Sequence, residues 1–315
     1  MEFSKKLLRD RIIVFTLQLI LFTSGFSCRL EEGKDELPCF DCGSNFIAID
    51  YEAAWSPDGQ WIAYFHEDTR PGYSGIYRIR PDGSENSLWL PGAQNPAWSP
   101  DSEWLAYSRN AQIWIREVEG DSTVQLTFEG RNFSPDWENS THYIAYRRSY
   151  SSPEIAAVQG IWLFNLKTMG HLQIISGNIA PPVWYNENEI LSYQGEIDSV
   201  LGYKFLKIDI TSQRIEPVYY LLKNHPRYLK VSKKFNQILF TGFTVVSKFT
   251  SSIFLLNKND KTKSLIVSNA YAADWSPDGR SIVYTNSNPE NGRLHIMDLG
   301  TNDKRQLTFE HHFNP

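Results

Sequence analysis

The sequence is poor in the residues and motifs on which catalysis and metal binding usually rely. Its 315 residues include three cysteines and seven histidines. The motifs Gly-x-Ser-x-Gly, Gly-x-x-x-x-Gly-Lys and His-Glu-x-x-His are all missing, so no nucleophile elbow, P-loop or zinc-protease helix is predicted. Because no catalytic constellation emerges, we predict a protein that is not an enzyme and that holds no cofactor and no metal ion.

An excess of positive charge is also missing. The formal net charge is −5 and the pI is near 5.8, whereas nucleic-acid-binding domains usually need a basic surface. We therefore predict no nucleic-acid partner. One basic stretch runs against this trend, with Lys223, Arg227, Lys230, Lys233 and Lys234 close together. We predict a solvated loop and an exposed strand face there, with a site for an anionic partner as the alternative.

Helical periodicity is the third absence, and short strand-like segments take its place. Within the repeated part, no apolar pattern of helical period persists for the roughly ten residues that a helix needs. Instead, the pentapeptide Trp55–Gly59 returns with one change at 98–102 and unchanged at 275–279. An apolar triplet such as Ile62–Tyr64 begins seven residues after each of these tryptophans. A pattern copied along the chain in this way is typical of a repeat architecture.

The spacing of the pattern defines six units. Degenerate copies lack the full pentapeptide but keep an anchor residue and the apolar triplet after it. The six anchors are Trp55, Trp98, Trp137, Trp184, Val231 and Trp275. Five steps cover the 220 residues from the first anchor to the last, a mean of 44. Since units of roughly 40–45 residues with four short strands form propeller blades, we predict an all-β fold, a six-bladed β-propeller with four-stranded antiparallel blades.

The repeats also predict the roles of their own residues. The anchor tryptophans should pack between neighbouring blades, where a large ring buries the most area. The repeated Asp58, Asp101 and Asp278 should shape turns and take no part in catalysis. The closure of the ring stays open, because either Gln306–Thr308 or Phe46–Ile49 could be the strand that joins the two ends of the chain.

The repeated motif resembles that of the TolB-type, WD40-like β-propellers. The segments that carry the resemblance are Pro96–Tyr107, Ala54–Tyr64, Asp274–Tyr284, Gln125–Thr127 and Gln306–Thr308. The resemblance covers about 46–315 and is weakest from 138 to 260. It implies a six-bladed propeller of the bacterial envelope that binds a protein partner at its funnel.

The first 45 residues have the pattern of a targeting segment followed by a tether. Residues 1–27 are predicted to be a signal peptide, because cations precede an apolar stretch, Ile12–Phe22, that is too short to span a bilayer. Cys28 then resembles the lipidated cysteine of bacterial lipoproteins, with simple secretion and an uncleaved anchor as alternatives. Residues 28–45 would form the lipidated cysteine and an acidic tether, and 46–315 the propeller. We therefore predict an exported, lipid-anchored protein of the outer membrane or periplasm.

Two further cysteines lie in the tether. Cys39 and Cys42 form an isolated Cys-x-x-Cys. In an exported chain, such a pair is expected to close a small disulfide loop. Redox chemistry and zinc binding are the alternatives, but no βαβ pattern and no second ligand pair accompany the motif.

Connecting segments are where a propeller presents its binding groups. We predict a protein-binding face made of residues that come just before the inner strands: Asn95, Arg131, Asn132, Asn178, Tyr228, Tyr271 and His312. The main alternative is a polysaccharide-binding or lyase-like surface protein, in which Tyr73, Tyr150, Tyr185 and Tyr219 stack on sugar rings. A metal site at His311 and His312, and a scaffolding role in a larger surface complex, are further alternatives.

Overall fold

The structure is a computed structural model that describes residues 47–140, 142–149, 158–195, 202–222, 225–232, 234–246, 248–287 and 292–309. These residues form six sheets of four antiparallel strands, and α-helix is absent from this part of the chain. The predicted all-β, six-bladed propeller is confirmed.

Each blade is a meander of four consecutive strands. The strands of blades 1 to 3 are β1 Ala48–Trp55, β2 Ile62–Asp68, β3 Gly75–Ile79, β4 Ser87–Pro91, β5 Ala93–Trp98, β6 Trp104–Arg109, β7 Gln112–Glu117, β8 Thr123–Gln125, β9 Arg131–Trp137, β10 Tyr143–Ser149, β11 Gly160–Asn165 and β12 Gly170–Ser176. Those of blades 4 to 6 are β13 Val183–Trp184, β14 Glu189–Gly195, β15 Gly202–Asp209, β16 Ile215–Leu222, β17 His225–Val231, β18 Gln237–Val246, β19 Lys248–Asn257, β20 Lys263–Ser268, β21 Ala270–Trp275, β22 Ser281–Asn286, β23 Leu294–Asp298 and β24 Lys304–Gln306. The first strand of every blade lines the central channel.

The repeated turn is held by its serine and aspartate. The Ser56 hydroxyl donates to the Asp58 carboxylate over 2.6 Å and accepts from the Trp61 backbone N–H over 2.9 Å. Gly59 follows with φ of +77°, a conformation that glycine adopts without strain. The second and sixth blades repeat these hydrogen bonds with their own serine and aspartate. The prediction that the repeated aspartates shape turns is therefore confirmed.

The anchor tryptophans pack between neighbouring blades, as predicted. Trp98, for example, is 6% exposed and lies in an apolar layer formed by blades 1 and 2. Its indole Nε1 donates to the backbone carbonyl of Ala54 over 2.8 Å. The indoles of Trp184 and Trp275 make the equivalent bond to the blade before them, over 3.1 and 3.4 Å. The indole nitrogens of Trp55 and Trp137 are buried but have no hydrogen-bond partner among the described residues.

Among the described residues, no strand is shared between the two ends of the chain. Neither of the two alternatives for a closing strand joins the ends: Gln306 ends β24, the outer strand of blade 6, and Ala48 and Ile49 begin the inner strand β1. Blades 1 and 6 are joined side by side instead. Their seam contains an apolar layer with residues from both blades and several hydrogen bonds, among them one from the Asp50 N–H to the Gly292 carbonyl, over 2.9 Å.

A buried polar cluster reinforces this seam. The Asp50 carboxylate is fully buried, accepts from the Thr308 hydroxyl over 2.6 Å and lies 2.6 Å from His66 Nδ1. Arg293 places a guanidinium nitrogen 3.7 Å from the same carboxylate. Because a buried carboxylate is costly without such partners, these contacts are what allow Asp50 to sit between the first and last blades.

Candidate functional site

A β-bulge interrupts five of the six inner strands at the same place, three residues before the anchor. The residue at this position is not glycine, yet its φ lies between +50° and +55°: Glu52, Asn95, Ser134, Tyr228 and Ala272. A bulge redirects side chains out of the strand ladder, and a positive φ costs most non-glycine residues some stability, asparagine least. In blade 4, where the inner strand is only two residues long, Pro181 holds the equivalent position.

These six positions surround one cavity, which we call the mouth cavity. It has a volume of about 210 Å³ and is lined by the five bulge residues, by Pro181 and by the residue after each of these six. Tyr193, Arg227 and three residues nearer the anchors, Asp136, Val183 and Lys230, complete the lining. Among the described residues, all six blades thus contribute a side chain at an equivalent position to this cavity.

A second ring of side chains lies deeper in the channel, just before the anchors. Its six members are Ala54, Ala97, Asp136, Val183, Lys230 and Asp274. Lys230 Nζ lies 3.9 Å from Asp274 Oδ2. Desolvation lowers the pKa of Lys230, but the nearby charges of Asp274, Asp136 and Glu52 outweigh it, so the net shift is upward and Lys230 stays charged. Lys230 was predicted to lie on a solvated face; this is wrong, because the strand carries it into the channel.

Both aspartates of this ring also hold the neighbouring blade. Asp136 Oδ2 accepts from the Trp184 backbone N–H over 2.7 Å, and Asp274 Oδ2 accepts from the Trp55 N–H over 3.0 Å. Their carboxylates are therefore held in place. Three members of the second ring, Asp136, Val183 and Lys230, lie between the mouth cavity and a second cavity and line both.

The second cavity, which we call the turn-side cavity, opens among the anchor tryptophans and the repeated turns. Its volume is about 750 Å³. Tyr185 lines it, and Lys258 Nζ lies 4.0 Å from the centre of the Tyr185 ring. Among the other tyrosines proposed for sugar stacking, Tyr219 packs against Phe205, Tyr73 lies under the Arg70 guanidinium, and Tyr150 is outside the described residues.

One side of the mouth is acidic and aromatic. Glu52 is half-buried, and its Oε2 accepts from the Asn95 amide over 2.7 Å. Next to it, the rings of Tyr51, Tyr271 and Tyr228 form an arc with centroid distances of 6.4 Å and 6.1 Å between neighbours. We call this group of three rings the tyrosine arc. The Tyr51 hydroxyl donates to the Glu67 carboxylate over 2.9 Å, so a second acidic group borders the arc.

The pKa values on this side are raised mainly by burial and, to a smaller extent, by the negative charges nearby. Burial raises the pKa of Glu52, and this effect exceeds the opposing effects of the Asn95 hydrogen bond and the Lys230 charge. Burial also raises the pKa of Tyr271 to about 12, assisted by the negative charges of Asp50, Glu67 and Glu52. Burial and the Glu52 charge shift the pKa of Tyr51 and Tyr228 in the same direction. A positive charge arriving at the arc would therefore be favoured.

Blades 3 and 5 bring cations to the same mouth. Arg227 is exposed and lies over the Phe243 ring, 5.3 Å from its centre. Arg147 donates to the Asn178 amide oxygen over 3.2 Å, while its buried Nε has no hydrogen-bond partner among the described residues. Burial raises the pKa of Tyr193 to about 12, although the charges of Arg227 and Arg147 oppose this.

The predicted face residues have different positions. Asn95 and Tyr228 line the mouth cavity, and Tyr271 belongs to the tyrosine arc. Arg131 is exposed at the start of β9, and Asn178 is exposed in the connection that leads to β13. His312 lies outside the described residues, as do His311, Cys28, Cys39 and Cys42. Most of these positions lie within inner strands and not before them, because the inner strands begin several residues earlier than predicted.

Asn132 does not belong to the face, because its side chain is fully buried. Its Oδ1 accepts from Arg148 Nε over 2.9 Å, and its amide nitrogen donates to the Glu129 carbonyl over 2.8 Å. Asn132 and Arg148 occupy the positions in blade 3 that Asp50 and His66 occupy in blade 1. The pair therefore supports the start of the inner strand and cannot present a group to a partner.

Glu52 is the mouth residue that the sequence analysis missed. The signal was available in the anchor spacing: the residues three positions before the anchors are Glu52, Asn95, Ser134, Pro181, Tyr228 and Ala272. Two of the six, Asn95 and Tyr228, were selected for the predicted binding face on other grounds. The other four were missed because an alternating pattern of inward and outward residues does not indicate where a bulge occurs.

The described residues contain no group of three or more histidine, cysteine, aspartate and glutamate side chains placed to hold a metal ion. Within the same part of the chain, no helix has the length and apolar character needed to cross a bilayer.

The six four-stranded blades and the channel define a six-bladed β-propeller. The family described as the dipeptidyl peptidase IV N-terminal region matches residues 72–139. No curated protein matches the chain. A solved TolB from Acinetobacter baumannii is similar, with 14% identity and a TM-score of 0.63 over 82% of this chain. The match spans 62% of the length of that TolB.

Propellers with other activities are similar as well. An oligogalacturonate lyase solved with manganese has 11% identity and a TM-score of 0.57, covering 83% of this chain and 77% of the lyase. The propeller domain of the trilobed protease from Pyrococcus furiosus, described as having an open velcro topology, has 13% identity and a TM-score of 0.53, covering 82% and 83%. At such identities, the likeness establishes the fold alone, and the neighbours include both enzymes and TolB proteins.

Proposed function

We propose that this propeller is a non-catalytic binding protein that receives a protein partner at its mouth. The observation that carries the proposal is the ring of bulge positions. All six blades place a side chain there, and the six differ in charge, size and polarity. The turns at the other end are repeated to preserve the fold, whereas the mouth residues are varied, as recognition of one particular surface requires.

Strain at the mouth supports the same proposal. Five non-glycine residues with positive φ at equivalent positions cost stability, and such strain is often found where a site needs a particular side-chain direction. The cations Arg131 and Arg227 and the tyrosine arc then supply the charged and aromatic contacts that protein interfaces favour.

We infer that the chain is exported to the cell envelope and anchored there by lipid on Cys28, which would make an envelope protein the natural partner. Replacement of Cys28 by serine should move the protein from the membrane fraction to the soluble fraction. Continued membrane association of the Cys28→Ser variant would contradict the lipid anchor but leave the binding proposal intact.

Site-specific photo-crosslinking tests the mouth directly. A benzophenone amino acid replaces Arg131 or Arg227, both exposed near the mouth, and the control carries it at Asp121. Asp121 lies between β7 and β8, at the end of blade 2 that holds the repeated turn. We expect irradiation of native cells to give one discrete adduct from the two mouth positions and none from the control. Equal adducts from all three positions, or none from any, would refute the proposal.

A polysaccharide ligand is the second candidate, and the turn-side cavity is the observation that favours it. Its volume of about 750 Å³ is within the range of small-ligand sites, and Tyr185 offers an aromatic surface inside it. Binding of oligomeric uronides that is lost in a Tyr185→Ala variant and unaffected by chelator would support this function. Turnover of the same oligomers would instead indicate a lyase-like enzyme.

A further inference from the structure

Glu52 is an acidic residue of the mouth that makes no hydrogen bond or ion pair with a cation among the described residues. Glu52 is half-buried beside the mouth cavity, and its hydrogen bond in the described residues comes from the neutral Asn95 amide. Lys230, deeper in the channel, makes its ion pair with Asp274; its charge also lowers the pKa of Glu52, but the opposing effect of burial is larger. Carboxylates removed from water are usually paired, so a cation in contact with Glu52 would stabilise its charged form.

The surroundings of Glu52 fit a positively charged group. The tyrosine arc lies next to it, with its rings 6.1 and 6.4 Å apart, and such groups of aromatic rings bind cations through their negative faces. Glu67 adds a second negative charge at the outer edge of the arc, where it accepts from the Tyr51 hydroxyl. Asp136 and Lys230, two members of the second ring that also line the mouth cavity, form its inner boundary and limit how deeply a group can enter.

The size of the mouth restricts the occupant further. A volume of about 210 Å³ is too small for a folded element but sufficient for one extended side chain. Since the mouth opens at the blade face where the proposed partner binds, the natural source of the cation is that partner. We propose that the mouth cavity binds a basic side chain, lysine or arginine, of the partner protein between Glu52 and the tyrosine arc.

The upward shift in the pKa of Glu52 agrees with this geometry. An empty site holds a carboxylate in surroundings that disfavour its charge, and an entering ammonium or guanidinium group relieves that penalty. The contact is therefore charge-assisted, and charge-assisted hydrogen bonds are about twice as strong as neutral ones.

Short peptides test the inference without knowledge of the partner. Two capped pentapeptides, with lysine or with norleucine between pairs of glycines, are titrated against the whole protein by ligand-observed NMR. We expect the lysine peptide to bind about ten-fold more tightly, the equivalent of one strong charged contact. Equal binding of the two peptides, or no binding of the lysine peptide, would overturn the inference.

The Glu52→Gln variant identifies the group responsible. Glutamine keeps an oxygen that can accept from Asn95 but removes the charge, so most of the advantage of the lysine peptide should disappear. The matched control is Glu119→Gln, which removes one negative charge from an exposed residue far along blade 2. That control should change the affinity by less than about two-fold, since exposed charges interact weakly across a solvated surface. Unchanged lysine binding in Glu52→Gln would refute the assignment.

A second variant covers the case in which Glu52→Gln does not fold. Tyr271→Leu removes the central ring of the arc but leaves Glu52 in place, and we expect it to weaken lysine binding about three- to ten-fold through loss of cation–π contacts. Full affinity in this variant would exclude the arc from the site.

This inference rests on the proposed function, but the two can fail separately. Photo-crosslinking at Arg131 and Arg227 that persists in Glu52→Gln, together with failure of the lysine peptide, would keep the protein partner and remove the basic side chain. Tight lysine binding without any crosslinked partner would keep the cation site and remove the proposed function.

Discussion

The indole hydrogen bonds between blades allow a matched test of what holds the ring together. Trp98 and Trp137 are equivalent anchors and are buried to nearly the same degree, with exposures of 6% and 4%. Trp98 Nε1 donates to the Ala54 carbonyl over 2.8 Å, whereas Trp137 Nε1 is buried with no partner among the described residues. Replacing each with phenylalanine removes the same part of the ring but only one hydrogen bond.

The difference between these two variants measures that bond. Both lose similar apolar contact, so this cost cancels in the comparison. Trp98→Phe also loses a buried hydrogen bond, worth about 1–2 kcal/mol, while Trp137→Phe removes a donor that was already unsatisfied. We therefore expect Trp98→Phe to be less stable than Trp137→Phe by about that amount. For a domain of this size, the difference corresponds to about 2–4 °C in Tm for each kcal/mol.

Thermal and urea unfolding, followed by far-UV circular dichroism, give the two stabilities. Circular dichroism is preferred to fluorescence because each variant loses a tryptophan. If the two variants unfold at the same temperature and urea concentration, or if Trp137→Phe is the weaker, the indole bonds do not contribute to the joining of the blades. The anchors would then act through apolar area alone.

Three further predictions concern the channel, the seam and a blade interior. Burial raises the pKa of Glu52 in the folded protein, so ionisation of Glu52 lowers the stability as the pH rises from its unfolded pKa through its folded pKa. Glu52→Gln should therefore raise Tm at pH 8 and not at pH 3. Equal changes in Tm at both pH values would disprove this. Asp50→Ala removes the carboxylate that His66, Thr308 and Arg293 share in the buried cluster, and it should cost about 3–5 kcal/mol. Hydrogen exchange should become faster first in blades 1 and 6, and a uniform increase would contradict the seam argument. A Cβ at Gly75 would lie 2.6 Å from the Leu90 carbonyl oxygen. Gly75→Ala should therefore lower the free energy of unfolding, measured in urea, by about 1–3 kcal/mol. An unchanged free energy of unfolding would mean that β4 moves to make room for the methyl group.

The fold could be predicted from the sequence because its signals are local and repeated. The turn chemistry of Ser56 and Asp58, copied in two other blades, depends on residues at most five positions apart. Even the degenerate anchors held their register: Trp184 pairs with Ile190, and Val231 pairs with Ile238. A unit whose own motif is degenerate can therefore still be placed by its spacing from the other five.

The closure of the ring could not be predicted in the same way. The apolar residues Ala48 and Ile49 fit an inner strand as well as an outer one, and their partner is decided by contacts more than 200 residues away. Arg293, for instance, donates to the Ala48 carbonyl over 2.7 Å across 245 positions of sequence. Such a pairing leaves no periodic signal, because it occurs once in the molecule.

The predicted binding face stays a prediction, and its residues are only partly brought together. Tyr228 and Asn95 line the mouth cavity, whereas Asn132 is fully buried. Lys230 was predicted to face solvent because it belongs to a stretch of five cations, and such stretches normally mark an exposed surface. It enters the channel because Asp136 and Asp274, from blades 3 and 6, lie at the same depth, a proximity that only the closed ring creates.

The bulge positions of the inner strands allow the mouth residues to vary while the blades keep their packing. Residues on the regular part of an inner strand must fit the blade beside them, so Trp98 and Ala54 are constrained by packing and hydrogen bonding. The bulge position pairs with no strand, so its side chain can change without loss of the ladder. Asparagine tolerates positive φ well, but a tyrosine or glutamate does so at a cost in stability that glycine would avoid. The presence of Tyr228 and Glu52 at this position is therefore best explained by what their side chains contact in the mouth.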